Sequence, residues 1–164
     1  MLRGRQRAVK TPGKNLKLAG FGAFCYGKGL FLHYTQPRGT AWGMRWLVQK
    51  LLQRARRTGR KIVLVLDQGK PNTAHALHRD LELARPEIEV FWLPNYCWNL
   101  NLIERVWKHV KGSRMANVLF ASYRQFVAHV EAALKDFAAH PDLTLSAVDQ
   151  RPRKNIRKHL VAHT

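Results

Sequence analysis

Five aliphatic residues in a row, Ile62-Val63-Leu64-Val65-Leu66, run into Asp67 and then into Gln68-Gly69. The run does not alternate with polar residues, so none of its positions is marked for water. A continuous β-branched and aliphatic stretch of this length predicts a strand buried on both faces, as at the centre of an α/β sheet. Such a strand needs helices on either side, and the flanking sequence supplies candidates. Thr40 can cap a helix in which Met44, Leu47, Val48, Leu51 and Leu52 share one face. Pro71 to Leu83 reads as a second helix, with Pro71 tolerated in its first turn. Asn101 to Lys111 reads as a third, and Ser122 to Phe137 as a fourth, with Phe126, Val130, Leu134 and Phe137 as its stripe. Leu16 to Cys25 and Leu30 to Tyr34 flank the turn signal Tyr26-Gly27-Lys28-Gly29 and predict a hairpin, and Ile88 to Trp92 predicts a further strand. The order β-β-α-β-α-β-α-α predicts an α/β domain with a mixed sheet. Trp92, Trp107, Phe126 and Phe137 are most simply core residues.

Charge narrows the class of partner. The formal net charge of the 164-residue chain is +19. Residues 1–66 hold fifteen Lys and Arg and no Asp or Glu, whereas the remainder sets fourteen bases against ten acids. A surplus distributed this way implies a polyanion, with nucleic acid the default and a ribosomal or anionic lipid surface the alternatives. Residues 1–15 read as a basic arm, 16–140 as the folded domain and 141–164 as a basic tail. Arg54, Arg56, Arg57 and Arg60 near the end of the first helix, with Lys108 and Lys111 on the third, are the candidate phosphate contacts, which position DNA without reading its sequence. No apolar run approaches the roughly 18 residues of a membrane span. The two cysteines, Cys25 and Cys97, have neither zinc-ligand spacing nor a disulfide framework, so a reducing cytoplasm is the expected compartment.

Two acids stand where chemistry is expected. Asp67 closes the buried strand, and sites in open α/β sheets gather beyond the carboxyl ends of strands; an Asp there equally suits a turn, accepting backbone N–H bonds. Glu104 lies one turn into the third helix. Asn101-x-x-Glu104 has capping-box spacing, and Glu104 with Lys108 has i, i+4 ion-pair spacing, so both local roles stay open beside a functional one. His75 and His78 suit a solvated helix face, since no Cys or second acid completes a metal set nearby.

The longer pattern is more specific. Residues 62–67 (IVLVLD), 91–104 (FWLPNYCWNLNLIE) and 105–112 (RVWKHVKG) resemble the DDE transposases of bacterial insertion sequences related to the Tc/mariner group. That family shows a hydrophobic strand ending in Asp, then a Leu-Pro-x-Tyr-Ser-Pro-Asp-Leu-Asn-x-Ile-Glu segment running into a Trp-x-x-hydrophobic-Lys helix. This chain keeps Leu93, Pro94, Tyr96, Leu100, Asn101, Ile103, Glu104, Trp107 and Lys111, with thirty-six residues between Asp67 and Glu104. The resemblance implies an RNase H-like mixed β-sheet flanked by helices. It implies Asp67 and Glu104 as the second and third catalytic acids and as ligands of Mg²⁺ or Mn²⁺, two ions about 3.5–4 Å apart clamping the scissile phosphate. It implies DNA as partner, at transposon ends and target, in a bacterial cytoplasm at the nucleoid, and admits a homodimer.

The departures are as informative. No Asp or Glu precedes Asp67, so the family's first acid has no counterpart, and the sheet is expected to lack the strand that carries it. Trp98 and Asn99 replace the family's Pro and Asp. The expectation is a transposase catalytic domain inactive alone, completed by an upstream-encoded transposase polypeptide; the alternative is a catalytically silent DNA-binding remnant or regulator of a transposable element.

Overall fold

The structure, a computed structural model, describes residues 16–69 and 72–149, with the side chain of Trp98 left out. The arm expected over 1–15, Pro71, and the segment from 150 onward lie outside the described residues. Strands β1 (Ala19–Cys25) and β2 (Leu30–Gln36) form an antiparallel hairpin around a tight turn. Helix α1 (Ala41–Thr58) leads to β3 (Ile62–Leu66), α2 (His75–Leu83) and β4 (Ile88–Trp92). Helices α3 (Leu102–Val110), α4 (Tyr123–Ala139) and α5 (Pro141–Val148) complete the described residues, with a π-helical turn (Lys111–Met115) extending α3. The mixed α/β class expected from the sequence is the class the chain adopts.

Local chemistry sets several of these boundaries. Helix α1 stops where Gly59 takes φ 63, a left-handed conformation that costs glycine little. Thr40 sits at its N-cap, but its side chain does not cap; the hydroxyl accepts instead from Gln36 Nε2 at 2.9 Å. Ser122 does cap α4, accepting from the Gln125 backbone N–H at 3.2 Å, while Gln125 Oε1 accepts from Ala121 N–H at 3.1 Å.

The hairpin is covered on both faces. Phe21, with Ala19, Ala23, Leu32 and Tyr34, packs on α1 in a core that continues through Met44, Leu47 and Val48 to Leu64, Leu66, Leu77 and Ile88. Phe31 packs on the other side against Val106, Val110, Leu134, Phe137 and Val148. Helix α5 corrects the expectation of a tail beginning at residue 141. Val148 is buried, and the buried Thr144 hydroxyl bonds to the Gly29 carbonyl in the hairpin turn.

Two further expectations change. Strand β3 is buried on one face only: Leu64 and Leu66 are buried, whereas Val63 and Val65 are 65% and 42% exposed. Phe91 of β4 is exposed beside them. The physical reason is that α3, α4 and α5 pack on the hairpin, while α1 and α2 line the one covered side of β3 and β4. And the mixed sheet is divided: β1 pairs only with β2, β3 only with β4 in parallel, giving two two-stranded sheets. Among the described residues, no strand lies on the second edge of β1 or of β3.

The closest approach in the first core is at Gly43, where an added Cβ would lie 2.4 Å from the Phe21 ring. Alanine there gains about 1 kcal/mol of helix propensity but drives a buried ring from its seat. Overpacking of this kind costs about 1–3 kcal/mol, so Gly43→Ala is expected to lower stability on balance. Urea unfolding followed by tryptophan fluorescence checks this; an unchanged or raised midpoint would show that the ring relocates freely.

Candidate carboxylate site

The parallel pairing of β3 and β4 brings the two strand ends side by side, and the Leu93 N–H continues the ladder to the Leu66 carbonyl at 2.8 Å. The loop that leads to α3 therefore departs from beside Asp67. Gln68 Nε2 donates to the Leu93 carbonyl at 3.3 Å and ties the loop down at its start. The loop turns at Tyr96, which holds a left-handed φ of 62 and is 97% exposed, and it ends at Asn101, the N-cap position of α3.

Both oxygens of Asp67 are held by neutral donors. Oδ1 accepts from the Gly69 backbone N–H at 3.0 Å and from Asn72 Nδ2 at 2.8 Å; Oδ2 accepts from Asn101 Nδ2 at 3.1 Å. The turn reading of Asp67 is thus correct as far as it goes, since Gly69 is two residues on. It does not account for the bond to Asn101, thirty-four residues away in sequence.

Glu104 is placed from the same residue. Its backbone N–H donates to the Asn101 carbonyl at 3.0 Å, opening α3. Neither local role offered by the sequence is formed: Asn101 makes no side-chain cap, and Glu104 has no ion pair with Lys108. Its carboxylate has no hydrogen bond among the described residues. Burial is the main cause that pushes the Glu104 pKa up, the Asp67 charge adds to it, and Lys111 opposes them. Two carboxylates from different elements are thus close enough for the Asp67 charge to act on Glu104, and their oxygens are hard donors of the kind divalent metals take. Among the described residues no cluster of three His, Cys, Asp or Glu side chains exists. His75 and His78 are exposed on α2, and His78 stacks on Trp92 at 5.3 Å between ring centroids.

The basic residues divide into two groups. Although residues 1–66 contain no acid, folding brings acids from residues 80–89 against them. Asp80 pairs with Arg45 at 2.6 Å, Glu87 with Arg56 at 3.1 Å, and Glu89 with Lys61 at 3.9 Å. Arg56 is therefore partly committed within the chain. Arg54, Arg57 and Arg60 are exposed and form no ion pair among the described residues. Lys108 and Lys111 are exposed on the helix that carries Glu104. Sequence reasoning missed Asn72 and Asn101 as the residues that hold Asp67. The signal for Asn101 was its place three residues before Glu104, which suits a cap equally well.

A family model described as "DDE superfamily endonuclease" matches residues 1–127. Among solved structures, the catalytic core domain of BIV integrase is similar at 21% identity, covering 81% of this chain and 76% of that one, with a TM-score of 0.45. No curated protein matches the chain.

The strain at Glu104 has a defined pH signature. Because its folded pKa is raised, the folded state carries a penalty wherever Glu104 is ionised in both states, that is, above the folded pKa. Below the ordinary value of 4.5 both states are protonated and the penalty is gone. Glu104→Gln is therefore expected to raise stability at pH 7, with the gain shrinking as pH falls through the folded pKa toward 4.5. Thermal melts from pH 4 to 7.5 check this. A gain that is flat with pH would show that the carboxylate charge is not its source.

Proposed function

Because the chain belongs to the DDE superfamily of endonucleases, we propose that it is a transposase catalytic domain in which Asp67 and Glu104 hold divalent metal for cutting and joining DNA. The observation that carries the reading is the acid pair itself: a strand-end Asp bonded to Asn101 through its carboxylate and a helix-start Glu bonded to Asn101 through its backbone N–H, neither neutralised by an ion pair among the described residues. The residues suit a hard cation such as Mg²⁺ or Mn²⁺, since the donors are carboxylate oxygens and a cation between them would relieve the burial and repulsion acting on Glu104. Bound there, a divalent ion supplies Lewis-acid stabilisation of charge on the scissile phosphate and its leaving oxygen.

The chain's own part is positioning. Gly69, Asn72 and Asn101 donate to Asp67, which fixes the direction of its carboxylate. In the reaction, a water oxygen attacks the phosphorus, the bond to the 3′-oxygen breaks, and that oxygen leaves as a 3′-hydroxyl. The hydroxyl then attacks a phosphodiester of target DNA, so each step exchanges one P–O bond for another. Arg54, Arg57, Arg60, Lys108 and Lys111 serve the DNA backbone.

The family's chemistry calls for a third acid, and no Asp or Glu occurs among residues 1–66. We place that acid on a further strand outside the described residues 16–149. Among the described residues β1 and β3 each have an edge without a partner strand, and both strands rest on the core built around α1, which supports a further strand at one of those edges. A second reading is favoured by the same lack of a third ligand: a DNA-binding remnant or regulator without catalysis.

Four outcomes are expected. Mn²⁺ should stabilise the chain by about 1 kcal/mol at several times its Kd, and Asp67→Asn or Glu104→Gln should abolish the effect. The chain alone should leave DNA intact, and a polypeptide bearing a hydrophobic strand that ends in Asp should restore Mn²⁺-dependent nicking. Metal stabilisation without restored nicking supports the remnant; no metal-linked stabilisation in the unmutated chain refutes the metal site.

A second expectation concerns the basic end of α1. Log K for arbitrary duplex DNA should fall against log [salt] by about 0.9 per phosphate neutralised. Neutralising Arg54, Arg57 and Arg60 should flatten that slope, whereas Arg56→Gln should change it less because Glu87 already engages Arg56. Equal effects from all four would show that the ion pair does not hold in solution.

A further inference from the structure

Trp42, in the first turn of α1, is 65% exposed. Trp46 follows it on the same ridge of the helix and is already engaged. It stacks on Tyr34 of β2 at 4.8 Å between centroids, and Lys50 lies over its ring at 5.7 Å. Trp42 has no such occupant. Among the described residues its indole meets no other ring and no cation, and its N–H has no acceptor.

The two ends of α1 fix where this ring stands. Arg56 in the last turn bonds to Glu87, just before β4 begins, so the helix runs antiparallel to β3 and β4. From Arg56 back to Trp42 is about 21 Å of helix at about 1.5 Å per residue. From Glu87 to Trp92 is about 17 Å of strand at about 3.3 Å per residue. Trp42 therefore lies level with the strand ends, at the end of the fold that carries Asp67. The turn before it is fastened, since Gln36 Nε2 donates to the Thr40 carbonyl at 3.3 Å and to its hydroxyl at 2.9 Å.

The surroundings of the ring are polar and cationic. Ala19 opens β1 opposite Gln36, and an added Cβ at Gly39 would lie 3.8 Å from that of Ala19, so Lys17 and Arg38 belong to this same end. Both are exposed and form no ion pair among the described residues. The acids nearest in the fold are engaged, Asp80 with Arg45 and Glu131 with the Thr35 hydroxyl. A protein partner calls for a contiguous apolar patch, which Gln36, Arg38 and Thr40 interrupt. A bare aromatic face among free cations suits a nucleotide, which brings a π-face and a phosphate together. In a continuous duplex that π-face is covered by the neighbouring base pairs, so the base concerned is an unpaired one.

We propose that Trp42 stacks on an unpaired base of the DNA beside the cutting site, so that the chain prefers forked ends to continuous duplex. The proposal rests on the reading above and adds the form of DNA that is taken. Because Trp46 on the same ridge rests on Tyr34 of β2, the stacked base lies to the hairpin side of the acid pair rather than at it.

The probes are a blunt 30-base-pair duplex and the same duplex forked at one end, with 2-aminopurine among the unpaired bases. Affinities are read by anisotropy of a distant dye, and stacking by the 2-aminopurine emission, which dims when the base stacks. The unmutated chain should bind the fork about tenfold more tightly than the blunt duplex and dim the 2-aminopurine. Trp42→Ala should abolish both the preference and the dimming while staying within about twofold on blunt duplex. Trp42→Phe, which keeps an aromatic face, should retain most of the preference, and Trp42→Leu, apolar without one, should lose it. Unchanged melting temperatures should confirm the fold, because the ring has no contact to lose. If the unmutated chain binds both probes alike, or Trp42→Ala weakens both alike, while binding stays salt-dependent, the stacking face is refuted and the DNA reading stands. If neither probe is bound, both fail. If the chain self-associates in sedimentation and Trp42→Ala leaves it monomeric with its fork preference intact, the ring belongs to an interface between copies and the proposal is overturned.

Discussion

Helix α1 is the element on which the rest depends, because it packs against both two-stranded sheets. The hairpin and the β3–β4 pair share no ladder hydrogen bond, yet Phe21 of one and Leu64 and Leu66 of the other belong to a single core around Met44, Leu47, Val48 and Leu51. Hydrogen bonding normally sets the spacing of neighbouring strands; here apolar packing on one helix does so. Packing of this kind is tight but sensitive to shape, as the approach of Gly43 to Phe21 shows. The ion pairs of α1 add a second tether. Arg45 reaches Asp80 and Arg56 reaches Glu87, so the basic helix is fastened to α2 and to the start of β4.

That arrangement explains how a short chain places two acids together at some cost to itself. Asp67 sits at the end of a strand on the α1 core, whereas Glu104 sits on a helix of the second core. Asn101 is bonded to both, through its side chain to Asp67 and through its carbonyl to the Glu104 N–H. A residue at a helix start would ordinarily turn its side chain back on its own helix. Asn101 gives up that cap, and Glu104 stays half-buried without an ion pair or a hydrogen bond to its carboxylate among the described residues. Local rules broken together at one place are expected where function competes with stability.

Much of this was legible in the sequence, and the failures have physical causes. The hairpin, α1, α4 and the parallel pair follow from periodicity, turn residues and caps, and both acids stand at the ends that the motif assigned. The burial of Val63 and Val65 was misread because periodicity reports a strand's own residues, not whether a helix arrives to cover them. Helix α5 was missed because Pro141 to Val148 is short and carries no strong amphipathic pattern; its hold comes from Thr144 on Gly29, a contact 115 residues apart in sequence. The charge balance of α1 was likewise hidden, since Asp80, Glu87 and Glu89 lie well downstream of the bases they meet. Long-range pairing is what a linear pattern cannot carry.

The uncovered face of β3 and β4 has a consequence for how the chain behaves in a crowded solution. Val63, Val65 and Phe91 present an apolar strip of high β-propensity, and Glu89, opposite Val63 in the ladder, interrupts it with a charge that Lys61 meets at its margin. Side chains in such places act as gatekeepers: they contribute little to the fold and make stacking on a second copy unfavourable, because the carboxylate would have to shed its water. Along that strip, the resistance to stacking thus leans on one exposed glutamate.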